Sequence, residues 1–352
     1  MPPIISRRSF LAASALGASL LSAPRSAIAH AECKDRVILN PIIFQRADPH
    51  IFKSNAGHYY FTASVPEYDR IILRSSDTIG GLGDAIEKTI WRRPTEGMMG
   101  GHIWAPEIHR IDGQWLIYFA AGNSDELFHI RTYVLACEGD DPMRDEWSVL
   151  GQLETQWDTF TLDAHAFNHL GVDFLCWAQQ EPGVETNSNL YIAPLATPTT
   201  FAQKPIRLTV PTLDWETQGY KVNEGAAFLA HGDKVFLTYS GSATDDRYAM
   251  GLLWADAEAD LMDPANWSKS QEPVFVSAPE HCIFGPGHNS FTKDECGRDM
   301  LVFHARSYQD IEGDPLYDPN RHARVQPITF DDAGFPVFGK PAPNGPLRLP
   351  QA

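Results

Sequence analysis

The sequence predicts an all-β fold, most simply a five-bladed β-propeller, from the spacing of its strand-like runs. Helical periodicity is scarce along the 352 residues, whereas short strand-like runs recur. The second residues of five such runs are separated by steps of 56, 59, 61 and 65 positions: Tyr59, Trp115, Phe174, Val235 and Met300. A repeat of about 60 residues made of short strands is typical of sheets arranged around an axis.

Each of these runs is interpreted as the second strand of a hairpin. A turn signal precedes every run, and another extended segment precedes every turn. In chain order the turns are Asn55–Gly57, Asp112–Gly113, Leu170–Gly171, His231–Gly232 and Cys296–Gly297. Two separate β-sandwiches are the alternative, but they would not explain five units of nearly equal length. No linker rich in proline, glycine or serine divides the chain, so we expect one domain over residues 36–350.

The first residues predict an export signal. Residues 1–29 contain an arginine pair, an apolar run from Phe10 to Leu21 and a small-residue end at Ala27–Ala29. A membrane-spanning helix needs roughly twenty apolar residues, which is more than this run supplies. Arg7 and Arg8 resemble the twin-arginine type of signal, with an ordinary secretory signal as the alternative. We therefore expect export to the periplasm or the exterior, and no membrane span.

The net negative charge of the chain limits the classes of molecule that it can bind. The formal net charge of −17 falls to −20 when residues 1–29, with three arginines and no acidic residue, are removed. A protein this acidic should be repelled by nucleic acid and by anionic lipid, so we expect a neutral or cationic partner.

The cysteines beyond residue 29 show neither CxxC nor a Cys/His zinc spacing, which disfavours a structural metal cluster. Cys176, within FLCWA, is predicted to be a buried strand residue. Cys282 and Cys296 flank one hairpin and are candidates for a disulfide in an oxidising compartment.

The first strands of the five hairpins open with comparable polar residues. Their openings read ADPHIF, APEIHRI, LDAHAF, NEGAAF and GHNSF. Since the first strand of each propeller blade runs beside the central channel, the ionisable residues in these openings should converge at one end of it. These residues are Asp48, Glu107, Asp163, Glu224 and His288.

Carboxylates gathered in a partly dehydrated pocket favour acid–base chemistry. Their mutual repulsion should keep at least one protonated near neutral pH while another stays ionised. Inverting hydrolysis of an acetal needs such a pair, typically about 6.5–9.5 Å apart, to deprotonate water and to protonate the leaving oxygen. Each residue alone has a structural alternative: a turn for Asp48 before Pro49, a strand end for Asp163, and a turn for Glu224. Their joint occurrence in one register favours a site.

Five segments resemble the blade-opening motifs of glycoside hydrolase family 43, in order and one per blade: RADPHIF, HIWAPEIH, TLDAHAF, VNEGAAF and FGPGHNSF. The resemblance runs from about Asn40 to Gly339. The tail HARSYQDIEGDPLYDPNRHARVQ resembles especially the α-L-arabinofuranosidase branch, including exo-acting enzymes that cleave α-1,5-linked arabinan. The resemblance implies an inverting glycosidase without an organic cofactor that releases terminal α-L-arabinofuranose from arabinan or arabino-oligosaccharides.

The resemblance also implies roles for the three carboxylates. Asp48 matches the general base that activates water, and Glu224 matches the general acid. Asp163 matches the third carboxylate, which orients the acid and modulates its pKa.

For other residues the resemblance implies contacts with substrate or with an ion. Trp104 matches a sugar-stacking aromatic, and Arg306 matches an arginine that contacts the sugar and steadies the base. His288 matches a histidine that helps to hold a hydrated cation, often calcium, through water. His50 and Glu107 are expected to line the pocket as well. The alternatives are packing for Trp104, a salt bridge for Arg306 or Glu107, and a satisfied core histidine for His288.

The motifs alone do not exclude some other activities. β-Xylosidases of the same family use the same three carboxylates, and the motifs do not separate the sugars. Fructan-cleaving propeller enzymes are disfavoured, because their WMNDPNG-type opening and RDP motif do not occur. A non-catalytic sugar-binding propeller would not need an acid and a base. About a dozen residues follow Gly339, so we expect no carbohydrate-binding module and action on soluble oligosaccharides.

Overall fold

The computed structural model describes residues 37–347 and residue 349, which are built almost entirely of β-strands. Strand β1 (Ile38–Asn40) is followed by five antiparallel sheets in chain order. Each sheet is formed by strands that are consecutive along the chain, which is the arrangement expected of propeller blades. The prediction of a five-bladed β-propeller is therefore confirmed.

The first three blades have four or five strands each. The first contains β2 (Ala47–Lys53), β3 (Tyr59–Ser64), β4 (Arg70–Ser76) and β5 (Lys88–Arg92). The second contains β6 (Ile103–Ile111), β7 (Gln114–Ala121), β8 (Arg131–Cys137) and β9 (Trp147–Gln152). The third contains β10 (Thr161–His169), β11 (Val172–Gln179), β12 (Asn189–Thr197), β13 (Thr200–Phe201) and β14 (Ile206–Thr209).

The last two blades are followed by two short pairs. The fourth blade contains β15 (Asn223–His231), β16 (Lys234–Gly241), β17 (Ala249–Asp256) and β18 (Ser268–Lys269). The fifth contains β19 (Phe284–Lys293), β20 (Asp299–Arg306) and β21 (His322–Pro327). Strands β22 (Thr329–Phe330) and β23 (Pro336–Val337) pair together, and β24 (Gly345–Leu347) pairs with β1. The described connections include short 3₁₀ helices: Gly80–Leu82, Asp214–Glu216, Pro264–Asn266, Pro279–His281 and Pro315–Tyr317.

The first strands of the blades surround the channel and close it into a ring. Each packs against the first strand of the next blade, and β19 of the fifth blade packs against β2 of the first. The beginning of the described chain reinforces this closure, because the Asn40 side chain bonds to the backbone of Val325 and Ile43 bridges to Ala323 of β21.

The core is divided into five apolar layers, one between each pair of neighbouring blades. Strand β7 shows why a strand inside the ring is almost continuously apolar after its first residue. Successive side chains of a strand point to opposite faces of the sheet. Trp115 and Ile117 accordingly pack toward the first blade, whereas Leu116 and Tyr118 pack toward the third. A strand that is buried on both faces therefore has a continuous apolar sequence and does not alternate between apolar and polar residues.

Every first strand carries a β-bulge at the same level of the channel. One residue in each bulge has a positive φ: Asp48 (52°), Ala105 (44°), Asp163 (56°), Gly225 (57°) and His288 (42°). Glu107 is therefore not the counterpart of Asp48, as the sequence alignment had it. It lies two residues farther along β6, level with His50 of β2 and His165 of β10.

The structure also corrects one cysteine prediction. Cys282 is an exposed free thiol and Cys296 is disulfide-bonded, so the two do not pair. Cys176 is buried in β11, as predicted. The predicted export signal over residues 1–29 lies outside the described residues. None of the helices in the described part of the chain is long and apolar enough to cross a membrane.

Candidate active site

Residues from all five blades line a cavity of about 920 Å³. Each first strand contributes at or beside its bulge, and these residues are Asp48, Trp104, Asp163, Glu224 and His288. The bulge and the positive φ explain the convergence, because a bulge bends the strand locally and re-aims its side chains. The ring of blades thus places three carboxyl groups and one imidazole in a single concave site.

Asp48 is held as a buried anion. Ser64 Oγ donates to its Oδ2 at 2.6 Å, and Arg321 Nη1 donates to its Oδ1 at 3.3 Å. Burial raises the pKa of Asp48, but the charge of Arg321 and the neighbouring His288 and His304 together hold that pKa well below its usual range. Asp48 is therefore ionised at neutral pH and can accept a proton.

Glu224 and Asp163 have the opposite tendency. Burial raises the pKa of Glu224 to about 7, and the charge of Asp48 adds to the rise, while the hydroxyl that Tyr248 donates to Oε1 at 2.9 Å opposes it. Burial and the charge of Glu224 raise the pKa of Asp163 well above its usual range, although the Gly225 amide donates to its Oδ2 at 3.0 Å. The cavity thus combines one stable carboxylate with two carboxyl groups that tend to retain protons.

His288 lies between the carboxylates of two blades. Its Nδ1 is 3.4 Å from Asp48 Oδ1 and 3.6 Å from Asp163 Oδ2, and its backbone amide donates to Ser240 Oγ at 2.8 Å. Gly225 makes room for the ring, because a Cβ at that position would lie 3.0 Å from His288 Cγ. The positive φ of Gly225 also favours glycine there.

Below the carboxylates, four buried residues form a second polar layer: His50, Glu107, His109 and His165. Glu107 Oε2 lies 2.7 Å from His165 Nδ1, 3.0 Å from His109 Nε2 and 3.6 Å from His50 Nε2. The Phe228 amide donates to His165 Nε2 at 3.1 Å. We therefore assign the proton of neutral His165 to Nδ1, from which it is donated to Glu107. Although burial opposes it, contact with these imidazoles holds the pKa of Glu107 well below its usual range.

The residues around the channel offer few ligands for the hydrated cation that the sequence suggests. The four residues of the second polar layer place their potential ligand atoms within 4.8 Å of one another, but the tautomer of His165 directs a proton, not a lone pair, at Glu107. His288 Nε2 is buried and has no hydrogen-bond partner among the described residues. Calcium prefers six to eight oxygen ligands. These residues therefore fit one imidazole contact to a hydrated ion, and they do not form a calcium cage.

Comparison with known proteins assigns the chain to a family. The model of glycosyl hydrolases family 43 matches residues 38–336. The chain belongs to this family. The resemblance that the blade-opening motifs predicted is thereby confirmed for this family 43 protein.

The relatives of this family 43 protein share one activity by name. It is 51% identical over 313 residues to an extracellular exo-alpha-(1->5)-L-arabinofuranosidase of Streptomyces avermitilis, covering 88% of the chain and 65% of the relative. The protein of the same name from Streptomyces chartreusis is 49% identical over 316 residues, covering 90% and 96%. The crystal structure of an alpha-L-arabinofuranosidase from Lactobacillus brevis matches with a TM-score of 0.85 at 52% identity, covering 87% and 98%. The chain thus spans less than two thirds of the Streptomyces avermitilis relative.

Three of the eight predicted site residues lie outside the lining of the cavity. His50 and Glu107 belong to the second polar layer, and Glu107 is only 3% exposed. Arg306 is buried behind the wall, where its guanidinium donates to Thr244 O at 2.6 Å, to Pro315 O at 2.7 Å and to Asp318 Oδ1 at 3.0 Å. These hydrogen bonds connect the segment at Thr244 with the segment at Pro315, and Arg306 itself does not line the cavity.

Sequence reasoning missed Arg321 and Tyr248. Arg321 lines the cavity, donates to Asp48 and also donates to Tyr68 Oη at 2.9 Å. Both Arg306 and Arg321 occur in the tail that resembles arabinofuranosidases, and nothing in that segment shows which of the two faces the base. Tyr248 begins no motif, so the sequence carried no signal for it.

Proposed function

We propose that this protein is an exo-acting, inverting α-L-arabinofuranosidase that releases terminal α-L-arabinofuranose from arabinan or arabino-oligosaccharides. The single observation that carries the reaction type is that one cavity holds Asp48, whose pKa lies well below its usual range, together with Glu224, whose pKa burial raises to about 7. The sugar and the exo action come from the names of the relatives.

The proposed reaction is a single displacement. Asp48 accepts a proton from a water molecule, whose oxygen attacks the anomeric carbon from the face opposite the leaving group. Glu224 donates its proton to the glycosidic oxygen as that bond breaks, so the leaving sugar departs as a neutral alcohol. Because Asp48 gains one proton and Glu224 loses one, solvent must return both to their starting states. No covalent intermediate forms, and the anomeric configuration inverts.

The neighbouring residues support these two roles. Arg321 and Ser64 orient Asp48 and keep it ionised. The raised pKa of Asp163 reflects burial and its electrostatic coupling to Glu224, which suits the role of modulating the acid. Trp104 lines the same cavity and is the aromatic residue that we expect to contact the sugar, although its ring is largely buried and stacks on His102. His288 provides one contact to a hydrated cation, whose charge would stabilise the adjacent carboxylates when it is bound.

We further propose that residues 36–350 form one catalytic domain and that the protein is exported. The signal-like pattern over residues 1–29 supports export, and the Streptomyces relatives are named extracellular. The substrate would be a neutral saccharide, in keeping with the net charge of −17.

The test is arabinose release followed by proton NMR. We expect the purified protein to release arabinose from arabinobiose and 4-nitrophenol from its α-L-arabinofuranoside, with β-L-arabinofuranose appearing first. Preferential hydrolysis of the β-D-xyloside would support a β-xylosidase instead. Binding of arabino-oligosaccharides without turnover would support a sugar-binding propeller, and initial release of the α-anomer would contradict the inverting mechanism.

Replacing Arg321 with methionine should move the acid limb of the pH profile of kcat/KM to higher pH. The positive charge of Arg321 lowers the pKa of Asp48, so its removal raises that pKa. A base with a raised pKa becomes protonated, and inactive, at a higher pH. Arg110→Met, which removes an arginine from an exposed ion pair outside the cavity, is the control. An unchanged acid limb in Arg321→Met would refute the role given to Arg321.

A further inference from the structure

A buried network of polar side chains lies outside the cavity and reaches the residue that precedes the proposed general acid. Its centre is Glu216, the last residue of the 3₁₀ helix Asp214–Glu216, whose side chain is completely buried. Glu216 does not line the cavity, and the proposed reaction gives it no role. A buried carboxylate is costly unless hydrogen bonds satisfy it. The partners of Glu216 therefore indicate what this carboxylate holds in place.

The described residues provide five donors to the carboxylate of Glu216. Its Oε2 accepts from the backbone amides of Thr212 at 2.8 Å and Leu213 at 2.9 Å, which belong to its own loop. Its Oε1 accepts from three side chains of the fourth blade: Asn223 Nδ2 at 3.0 Å, Tyr239 Oη at 2.8 Å and Lys269 Nζ at 2.6 Å. One oxygen therefore holds the loop that precedes β15, and the other joins that loop to three strands of the blade.

Asn223 is the residue through which this network reaches the active site. Thr209 Oγ1 donates to Asn223 Oδ1 at 3.2 Å, so both ends of the side-chain amide are bonded. The backbone is held as well, because the Asn223 amide donates to Ser188 O at 3.1 Å and Asn223 O accepts from Ser188 Oγ at 3.3 Å. Asn223 is completely buried and directly precedes Glu224. The bonds that fix Asn223 therefore fix the backbone on one side of Glu224.

The first strand of the fourth blade needs this support because its pairing is interrupted at the same point. The register of β15 with β16 shifts between Glu224 and Ala227, where the bulge lies. A bulge disrupts the ladder locally, so fewer ladder bonds define the direction of Glu224. Gly241, which pairs with Asn223, lets the network approach closely, because a Cβ there would lie 3.1 Å from Glu216 Cα.

We propose that Glu216 is a positioning residue for the general acid, an assignment that rests on the proposed function. By bonding to Asn223, its carboxylate holds the backbone before Glu224 at the place from which the Glu224 side chain reaches the glycosidic oxygen. Glu216 itself touches neither the substrate nor the reacting atoms. Its loss should therefore weaken proton donation to the leaving group and leave the attack of water unaffected.

The test compares two leaving groups in the Glu216→Gln variant. The glutamine oxygen still accepts from the amides of Thr212 and Leu213, whereas its NH2 group faces the NH2 group of Asn223 and cannot bond to it. We expect kcat/KM on arabinobiose, whose leaving sugar needs a proton, to fall about 10-fold to 100-fold, as a misplacement of about 1 Å can cause. The value for the 4-nitrophenyl glycoside, whose leaving group needs no acid, should stay within about twofold of that of the wild type.

Exchanging donor and acceptor provides the rescue. Asn223→Asp places two carboxylates in contact, so it cuts the same bond from the other side and should also slow arabinobiose selectively. This variant carries the same expectation if Glu216→Gln does not fold. In the double variant Glu216→Gln/Asn223→Asp, the new amide donates to the new carboxylate and restores the bond in the opposite direction. The double variant should therefore be more active on arabinobiose than either single variant.

Tyr239→Phe is the matched control, because it removes another donor to Glu216 Oε1 and leaves the bond to Asn223 in place. It should lower the temperature of thermal unfolding without selectively slowing arabinobiose. Equal losses on both substrates in Glu216→Gln would assign it a general structural role and overturn the inference. Unchanged activity on arabinobiose, or a double variant no better than the single ones, would overturn it too. If the wild-type protein hydrolyses neither substrate, the proposed function itself fails, and that outcome is distinct.

Discussion

Replacing Asp48 with glycine is expected to lower kcat on arabinobiose by about 10⁴-fold, the upper end of the contribution of a positioned base. Without the carboxylate, the cavity loses the group to which we assign the proton of the attacking water. Glycine is the appropriate replacement, because Asp48 has a φ of 52°, a backbone conformation that glycine adopts without strain. The loss then reports chemistry and not a distorted bulge.

The loss in Asp48→Gly should be partly rescued by azide. Azide is a nucleophile that needs no deprotonation, and the shortened side chain leaves space for it beside the anomeric carbon. Inversion predicts β-L-arabinofuranosyl azide as the product, which NMR identifies. Asp112→Gly is the control, since Asp112 also has a positive φ but occupies an exposed hairpin turn. A variant at position 48 that retained most of its activity would contradict the assignment of the base.

The fold was predictable because its structural repeat is visible as a repeat of about 60 residues in the sequence. Five hairpins at nearly equal spacing predict five similar sheets. Strands such as β7 are almost continuously apolar after the first residue because both faces pack against neighbouring blades. The ends of the ring were less predictable. The pairing of β1 with β24 joins residues at opposite ends of the described chain, and no local pattern in either segment specifies that partner.

The prediction of the site failed where the register of a single bulge mattered. Glu107 precedes its marker residue by 8 positions, whereas the other four aligned residues precede theirs by 11 or 12. Aligning Pro106 with Pro49 would have placed Glu107 level with His50, which is where the structure has it. Because a strand alternates with a period of two, an error of two residues keeps the side chain on the channel face but moves it one layer deeper.

The choice between Arg306 and Arg321 depends on a different kind of information. Both arginines are buried. Arg306 ends β20, Arg321 directly precedes β21, and one long connection lies between them. The way in which that connection folds over the cavity decides which guanidinium reaches Asp48. The guanidinium of Arg306 instead donates hydrogen bonds to Thr244 O and Pro315 O. Such contacts between distant loops leave no periodic trace in a single sequence.

Replacing Glu224 with glutamine should lower kcat/KM on arabinobiose by about 10³-fold or more, and that on the 4-nitrophenyl glycoside far less. A sugar alkoxide leaves poorly unless it is protonated, whereas 4-nitrophenolate leaves without help. The variant therefore separates the acid from the base, because Asp48→Gly should slow both substrates. Glu67→Gln, at an exposed surface glutamate, should slow neither.

The same Glu224→Gln substitution should also change the pH dependence. In the wild-type protein the acid must be protonated, and burial raises the pKa of Glu224 to about 7, so kcat/KM should fall as the pH rises above about 7. Glutamine does not titrate, so this alkaline limb should disappear while the acid limb set by Asp48 remains. An alkaline limb that persisted in Glu224→Gln would assign the titration to another group. Asp163, whose pKa burial also raises, would then be the group to replace next, because it lines the same cavity as Glu224.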